Sequence, residues 1–355
     1  MHPRRQDTKL RPSGSGHMPY EPYVAYDRLS NGSTIIPSWK INESLPGMDD
    51  EVFADYRQVM FLRHRIWQHR QSDIPEPPRT PLYPILEKKK FTNVFRVLDP
   101  GSQYVVRMLQ EPGLEPEDAL ARAILYRFTN RPETWDHLKN VYGRWPLAED
   151  MNGDLVQALH ETPGGQIFSG AYIIMPTPGK EGDKVLGAVR LTRRLTARGG
   201  SERVVEQVAG AASPAAAYAA LRGHFGMGDF MSMQILTDWG YYWPEYDENE
   251  FVVAGPGSRR GVAELFPNGT DLSAEEVIRW VRDDWWLDVS CPAIPMPGGQ
   301  LRVPSLMDVQ NTFCEYSKYR RYKRNGDISG PLYRQAHPGK QPLPLLPHHW
   351  TAGSR

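Results

Sequence analysis

Arg222–Gly261 reads RGHFGMGDFMSMQILTDWGYYWPEYDENEFVVAGPGSRRG, and the fold turns on how this stretch is parsed. Just upstream, Ser213-Pro214 supplies a cap and a proline for a first helical position. Tyr218, Leu221 and Phe225 follow at helical spacing. Gly226-Met227-Gly228 breaks the chain, and Met231, Ile235 and Leu236 resume the period. Residues 213–240 are therefore expected to form two short helices joined by a glycine turn. Such a turn at a helix start leaves backbone N–H groups able to hold a phosphate, which makes Gly226 and Gly228 candidate DNA contacts. The plainer reading is that these glycines only let two helices pack closely.

The second half of the stretch, Ala254-Gly-Pro-Gly-Ser-Arg-Arg-Gly261, gathers three glycines and a proline around two arginines. An arginine fork beside glycine backbone suits phosphate or pyrophosphate, so Gly255, Gly257, Ser258, Arg259 and Arg260 are candidate anion ligands in a loop over 254–261. An ordinary surface turn is the alternative. No G-x-x-x-x-G-K-[ST] phosphate loop occurs in the chain.

Composition bounds the rest. The 355 residues, 40% of them hydrophobic, suffice for one large domain or two medium ones. No apolar run reaches the length of a membrane span, and Met1-His-Pro-Arg-Arg5 is not followed by the apolar segment of a signal peptide. Two cysteines, Cys291 and Cys314, without ligand spacing, fit a reducing intracellular compartment, bacterial cytoplasm or nucleus. The ten histidines show no metal-ligand spacing, so neither metal nor cofactor is expected. A formal net charge of zero argues against a protein that simply coats nucleic acid, while leaving local basic patches open.

Along the chain, residues 1–48 read as a disordered or extended arm and 326–355 as a proline-rich tail, disordered from Pro338 on; between them lies a helical domain, 49–325. Asp49-Asp50 caps a helix to about Arg70 with Phe53, Tyr56, Val59, Met60 and Trp67 on one stripe. Arg57, Arg63, His64, Arg65 and Arg70 lie off that stripe as a basic face, either solvated or on phosphate. Arg96 is a further candidate DNA contact. A short pattern occurs twice. Ile85-Leu86 leads to Phe91-Thr92-Asn93, and Ile124-Leu125 leads through Arg127 to Phe128-Thr129-Asn130. Either both copies present Phe to the core and Asn or Thr to a base edge, or both are helix C-termini with Asn as cap. Phe91, Asn93, Asn130 and Tyr172 are the candidate base contacts. Gln166–Met175 and Val185–Leu195 look extended and suggest a small hairpin; 287–304 reads as loop. Ser273-Ala-Glu-Glu276 is a capping box, and Ser305 opens a helix with Glu315 and Lys318 one turn apart. The expected fold class is mainly α, with long loops.

Taken in order, the two Phe-Thr-Asn elements, the glycine turn ending in Thr237-Asp238, the AGPGSRRG segment and CEYSKY at 314–319 resemble the helical DNA base hypermodification proteins of phages and other genomes. That group includes the alpha-glutamyl/putrescinyl thymine pyrophosphorylases and the helical domain of 5-hydroxymethyluracil DNA kinases. The resemblance covers about residues 50–325. It implies a fold akin to helix-hairpin-helix DNA glycosylases and double-stranded DNA carrying a modified thymine as partner. It further implies a transferase acting on a flipped-out 5-hydroxymethyluracil pyrophosphate ester made by a separate kinase, with an amine or amino acid displacing pyrophosphate. Asp238 or Glu315, with Lys318 beside it, would then deprotonate or hold the amine; alternatively both acids are structural residues of helix faces, with Lys318 neutralising Glu315. Bifunctional glycosylases carry a lysine where this chain has Phe230, and their aspartate position falls in Ala254-Gly255. Base excision is thus the alternative, with Asp247 or Glu250 as substitutes; a non-catalytic DNA-binding module and a small-molecule transferase stay open.

Overall fold

The computed structural model describes residues 44–71, 84–170, 183–197, 204–285, 292–296, 299–328 and 344–351. The chain begins with α1 (Asp50–Gln71), α2 (Pro84–Lys88), α3 (Pro100–Leu109), α4 (Pro116–Thr129), α5 (Pro132–Tyr142) and α6 (Gly153–His160). It continues through α7 (Lys184–Thr196), α8 (Val204–Ala209), α9 (Pro214–Arg222), α10 (Asp229–Trp239), α11 (Pro256–Ala263) and α12 (Ala274–Trp285). A two-stranded antiparallel ribbon, β1 (Ile294–Pro295) with β2 (Leu301–Arg302), precedes α13 (Leu306–Arg324) and α14 (His348–Thr351). The fold is mainly α, as expected. No helix among the described residues is long and apolar enough to cross a membrane.

Local chemistry explains most helix starts. Asp49 Oδ1 accepts from the N–H groups of Glu51 and Val52 at 3.0 and 3.1 Å. Ser213 Oγ accepts from Ala216 N ahead of Pro214. Ser273 and Glu276 close a reciprocal box, as do Ser305 and Asp308. Proline stands at the first turn of α3, α4 and α5.

The basic face expected on α1 is not a face: Arg57, Arg63 and His64 are buried with Phe53, Tyr56, Val59 and Met60. α13, Trp280 of α12, the 91–95 loop and Ala293 all contact α1, so charged and apolar positions alike lie inside. Residues 185–195, read above as extended, are helix α7. Val185, Ala188, Val189, Leu191 and Leu195 are buried at helical spacing, and Asp183 caps the first turn. The periodicity outweighed the β-branched residues. The small ribbon lies at 294–302, where only loop was expected, and its register pairs Ile294 with Arg302. The expected turn after Met175 lies outside the described residues, as does the arm before residue 44.

Residues 345–350 of the tail pack against the helical domain. Leu345 and Gln103 exchange backbone–side chain hydrogen bonds at 2.8 and 2.9 Å, Gln110 donates to Leu346 O, and the Trp350 ring lies 3.4 Å beneath the Arg302 guanidinium. Leu346 and Trp350 supply the apolar contacts that a purely polar tail would lack.

α13 is the hub. On one side Tyr56 of α1 stacks on Phe313 at 4.6 Å and shares a 2.6 Å hydrogen bond with Thr312. On another side α11 lies unusually close. A Cβ on Gly257 would overlap Cys314 Sγ, and one on Gly261 would overlap the Phe313 carbonyl oxygen. The segment 254–261 is therefore not a loop: from Pro256 on it is helix, and its glycines at 257 and 261 form a flat face against α13. A Gly261→Ala chain is expected to lose about 3 kcal/mol, because its clash is with main chain that cannot rotate away. Urea unfolding measures this; a loss under about 0.5 kcal/mol would mean that α11 and α13 are not in close contact.

Candidate functional site

A closed seam, too tight to admit a water molecule, lies between α1, the 91–95 loop and α13. Val59, Met60, Leu86 and Phe91 form its apolar lining; Arg63, Thr92, Asn93, Thr312 and Glu315 form the polar part. The loop is pinned from both sides. Arg63 of α1 donates through Nη2 to Phe91 O at 3.0 Å and to Asn93 Oδ1 at 2.8 Å. From α13, Glu315 Oε2 accepts the Thr92 N–H at 3.0 Å, and Asn311 Nδ2 donates to Thr92 Oγ1 at 3.1 Å. Lys318 donates to Lys90 O, stands 3.5 Å from Glu315 Oε2 and lies 4.8 Å over the Phe91 ring. Five residues singled out from sequence thus meet here: Arg63, Phe91, Asn93, Glu315 and Lys318. Asn311 and Asp99 join them. Asn311 was findable in principle, one turn before Glu315 on the same face of α13; Asp99 carried no signal.

Asn93 is fully engaged inside the protein. Its Oδ1 accepts from Arg63, its Nδ2 donates to Leu98 O at 2.8 Å, and its N–H goes to Asp99 Oδ1 at 2.8 Å. Its amide therefore shapes the loop. Thr92 is bonded through both its N–H and its Oγ1, whereas Glu315 Oε1 accepts no hydrogen bond among the described residues. The two Phe-Thr-Asn copies are not one device. Asn130 is the left-handed C-cap of α4 (φ 45°, ψ 40°), so the capping reading holds there. Asn93 sits in a loop that α1 and α13 hold.

The remaining candidates go elsewhere. Asp238 is wholly buried; both carboxylate oxygens accept from the Arg127 guanidinium, and Arg96 Nη2 lies 3.7 Å away. Arg96, expected at a DNA surface, is buried and donates to Gln234 Oε1 at 2.6 Å. Arg65 contacts Gln68 within α1. The presumed anion ligands are split. Gly257 faces α13, Ser258 is buried, and Arg259 bonds Ala254 O and Glu275 at 3.0 and 2.9 Å; Gly255 caps α11, and Arg260 is exposed. Gly226 (φ +90°) and Gly228 form the turn between α9 and α10. Tyr172 lies outside the described residues.

Electrostatics sets the acids around the seam apart. Burial lifts the Asp99 carboxyl to about 7, against the pull of the Asn93 N–H and of Arg63 and Arg96; nearby Glu315 adds to the lift. Burial also raises Glu248, ion-paired with Arg302, to about 7, and raises Asp308. Burial drives His64 down to about 3, so it is neutral, with Nε2 on Ala293 O.

The fold is a helical domain in which α1, the 91–95 loop and α13 close on one seam lined by apolar and polar side chains. A family model described as 5-hmdU DNA kinase, helical domain, matches residues 50–328, and the chain belongs to this family. No curated protein and no solved structure matches it. The family's name supports involvement in thymine hypermodification in DNA.

Two outcomes test these assignments. Asp238→Asn is expected to cost about 3–5 kcal/mol in unfolding free energy, because it strips charge from a buried arginine pair. A variant of native stability but lost activity would instead make Asp238 a reacting group. For Asp99, a folded-state pKa of about 7 lies above the unfolded value. The folded state then holds the proton more tightly, and stability falls as pH rises from about 4 through 7. Asp99→Asn keeps the acceptor and should flatten that fall by on the order of 1–3 kcal/mol, read from urea midpoints between pH 5 and 8.5; Glu248 and Asp308 leave a residual slope.

Proposed function

We propose that this chain is a DNA base hypermodification transferase acting at the 91–95 seam. Its substrate is a flipped-out 5-hydroxymethyluracil nucleotide carrying a pyrophosphate ester, and the attacking group is an amine or amino acid. One observation carries the reading: Arg63, the adjacent Thr92 and Asn93, and Glu315, from three separate parts of the chain, converge on one seam in a domain of the 5-hmdU DNA kinase family. The seam would have to open for a base extruded from the stack to place one face on the Phe91 and Met60 side and its polar edge on Thr92. Glu315 Oε1 would take a proton from the incoming amine as its nitrogen bonds the exocyclic methylene carbon. The carbon–oxygen bond breaks, and pyrophosphate leaves with the electron pair. Lys318, beside Glu315, offsets the growing negative charge.

A second reading keeps the seam and drops the chemistry: the domain binds the modified base and presents it to a partner. It is favoured by the Thr92 N–H and Lys318 contacts that already hold Glu315 Oε2. Nucleoside mass spectrometry separates the two. Duplex DNA with 5-hydroxymethyluracil is incubated with the protein, amino acids and polyamines, with and without a DNA kinase and ATP. A new heavier nucleoside only in the kinase-treated sample is expected, and Glu315→Gln should slow its appearance 10²–10⁴-fold. Free base and abasic sites would identify excision; bound DNA with no product would leave the recognition reading.

A further inference from the structure

Phe225 is 69% exposed and Phe230 is 40% exposed, one on each side of the Gly226–Gly228 turn. The turn that carries them is firmly mounted. Met227 is buried and donates its N–H to His224 O at 3.0 Å. Gly226, at φ +90°, presses on α7 so closely that a Cβ would stand 2.9 Å from Leu191 Cδ2. Arg194 Nη2 donates to the Phe225 carbonyl oxygen at 2.8 Å. The backbone of Phe225 is thus clamped to α7 while its ring is left in solvent. A folding role does not require this, since a phenylalanine that served the core would be inside it.

The helix that clamps it is basic on its outer side. Arg190, Arg193 and Arg194 are exposed at i, i+3 and i+4, whereas Leu191 and Leu195 are buried. Arg222, also exposed, ends α9 next to the turn and pairs with Asp229 at 2.5 Å. A fixed, protruding aromatic ring beside a one-sided arginine cluster has the two components that nucleic acid requires, cations for phosphates and a π-face for a base. The turn also connects to the seam. The Phe230 ring and Gln310 Nε2 lie 3.4 and 3.6 Å from the position of a Cβ on Gly255. Gln310 precedes Asn311, which donates to Thr92 in the seam.

We infer that Phe225, mounted on the Gly226–Gly228 turn already noted as a candidate DNA contact, enters the stack of a duplex at the place a nucleotide has vacated, and that Arg190, Arg193 and Arg194 hold the flanking phosphates. The inference rests on the reading that the substrate base leaves the duplex.

The test is fluorescence anisotropy over a salt series with the full chain and two duplexes, one intact and one with a single abasic linker. The wild-type chain is expected to prefer the abasic duplex. Phe225→Ala, a surface change that leaves the core intact, should lose about tenfold affinity for the abasic duplex with no change in salt slope, and Phe225→Trp should keep it. Arg193→Gln should weaken binding to both duplexes and reduce the salt slope by about one. Preference retained in Phe225→Ala, or single-stranded DNA bound as well as the abasic duplex, overturns the inference. Unaltered binding by Phe225→Ala alongside an active transferase overturns it alone. Phe225-dependent binding with no new nucleoside in the mass spectrometry leaves it standing and removes the transferase reading.

Discussion

The close contact of α11 on α13 governs the molecule. Gly257 and Gly261 let the α11 backbone meet Cys314 Sγ and the Phe313 carbonyl, a distance that any side chain would forbid. With α11 seated there, the opposite side of α13 is turned toward α1, where Phe313 stacks on Tyr56 and Thr312 meets the Tyr56 hydroxyl. Asn311, Glu315 and Lys318 then fall along the edge that reaches the 91–95 loop. A shift of α13 by the width of a methyl group would move the Glu315 carboxylate off the Thr92 N–H, because hydrogen-bond energy declines steeply with misalignment. Packing two helices without side chains between them thus fixes a polar arrangement on the far side of one of them.

Buried charge does comparable work in the other half. Asp238 of α10, Arg127 of α4 and Arg96 in the turn before α3 meet out of solvent, and Asp308 of α13 accepts the Arg96 N–H at 2.7 Å. Such a cluster adds little net stability over an apolar replacement, since desolvation offsets most of the attraction. What it does supply is discrimination: a mispacked arrangement would strand an arginine or a carboxylate in the interior. The same cluster joins α4, α10 and α13, the elements that carry the glycine turn and the seam.

Much of this was legible in the sequence. Caps at Asp49, Ser213, Ser273 and Ser305 and prolines at 116 and 132 mark helices correctly, because they act within one turn of chain. The first Phe-Thr-Asn and the CEYSKY helix were both recognised, although nothing local could show that they touch; their meeting depends on α1 packing against both, through Arg63 to the loop and Tyr56 to α13. Two misreadings have a common cause. AGPGSRRG has the composition of an anion loop, and α7 has branched residues typical of strands, yet both are helices whose small or apolar positions face a neighbour. Composition reports what a residue can do alone, whereas glycines against α13 are explained only by what they stand next to. Asp238 illustrates the same limit: a carboxylate near a glycine turn suggests a reacting group until Arg127 is seen closing over both of its oxygens.

The seam itself has a consequence for specificity. Its amide and guanidinium groups, Asn93 and Arg63, hold each other and the loop backbone rather than waiting for a ligand. Side chains held in this way keep the 91–95 loop in one position, so the polar atoms near it are fixed before anything binds. Fixed donors and acceptors reject a ligand that leaves them unpaired far more sharply than an apolar wall rejects one of the wrong size. If the proposed function holds, discrimination between a thymine and its hydroxymethyl derivative, which differ by one polar group, would fall to Thr92 and Glu315. Phe91 and Met60 would supply only the apolar side that any pyrimidine accepts.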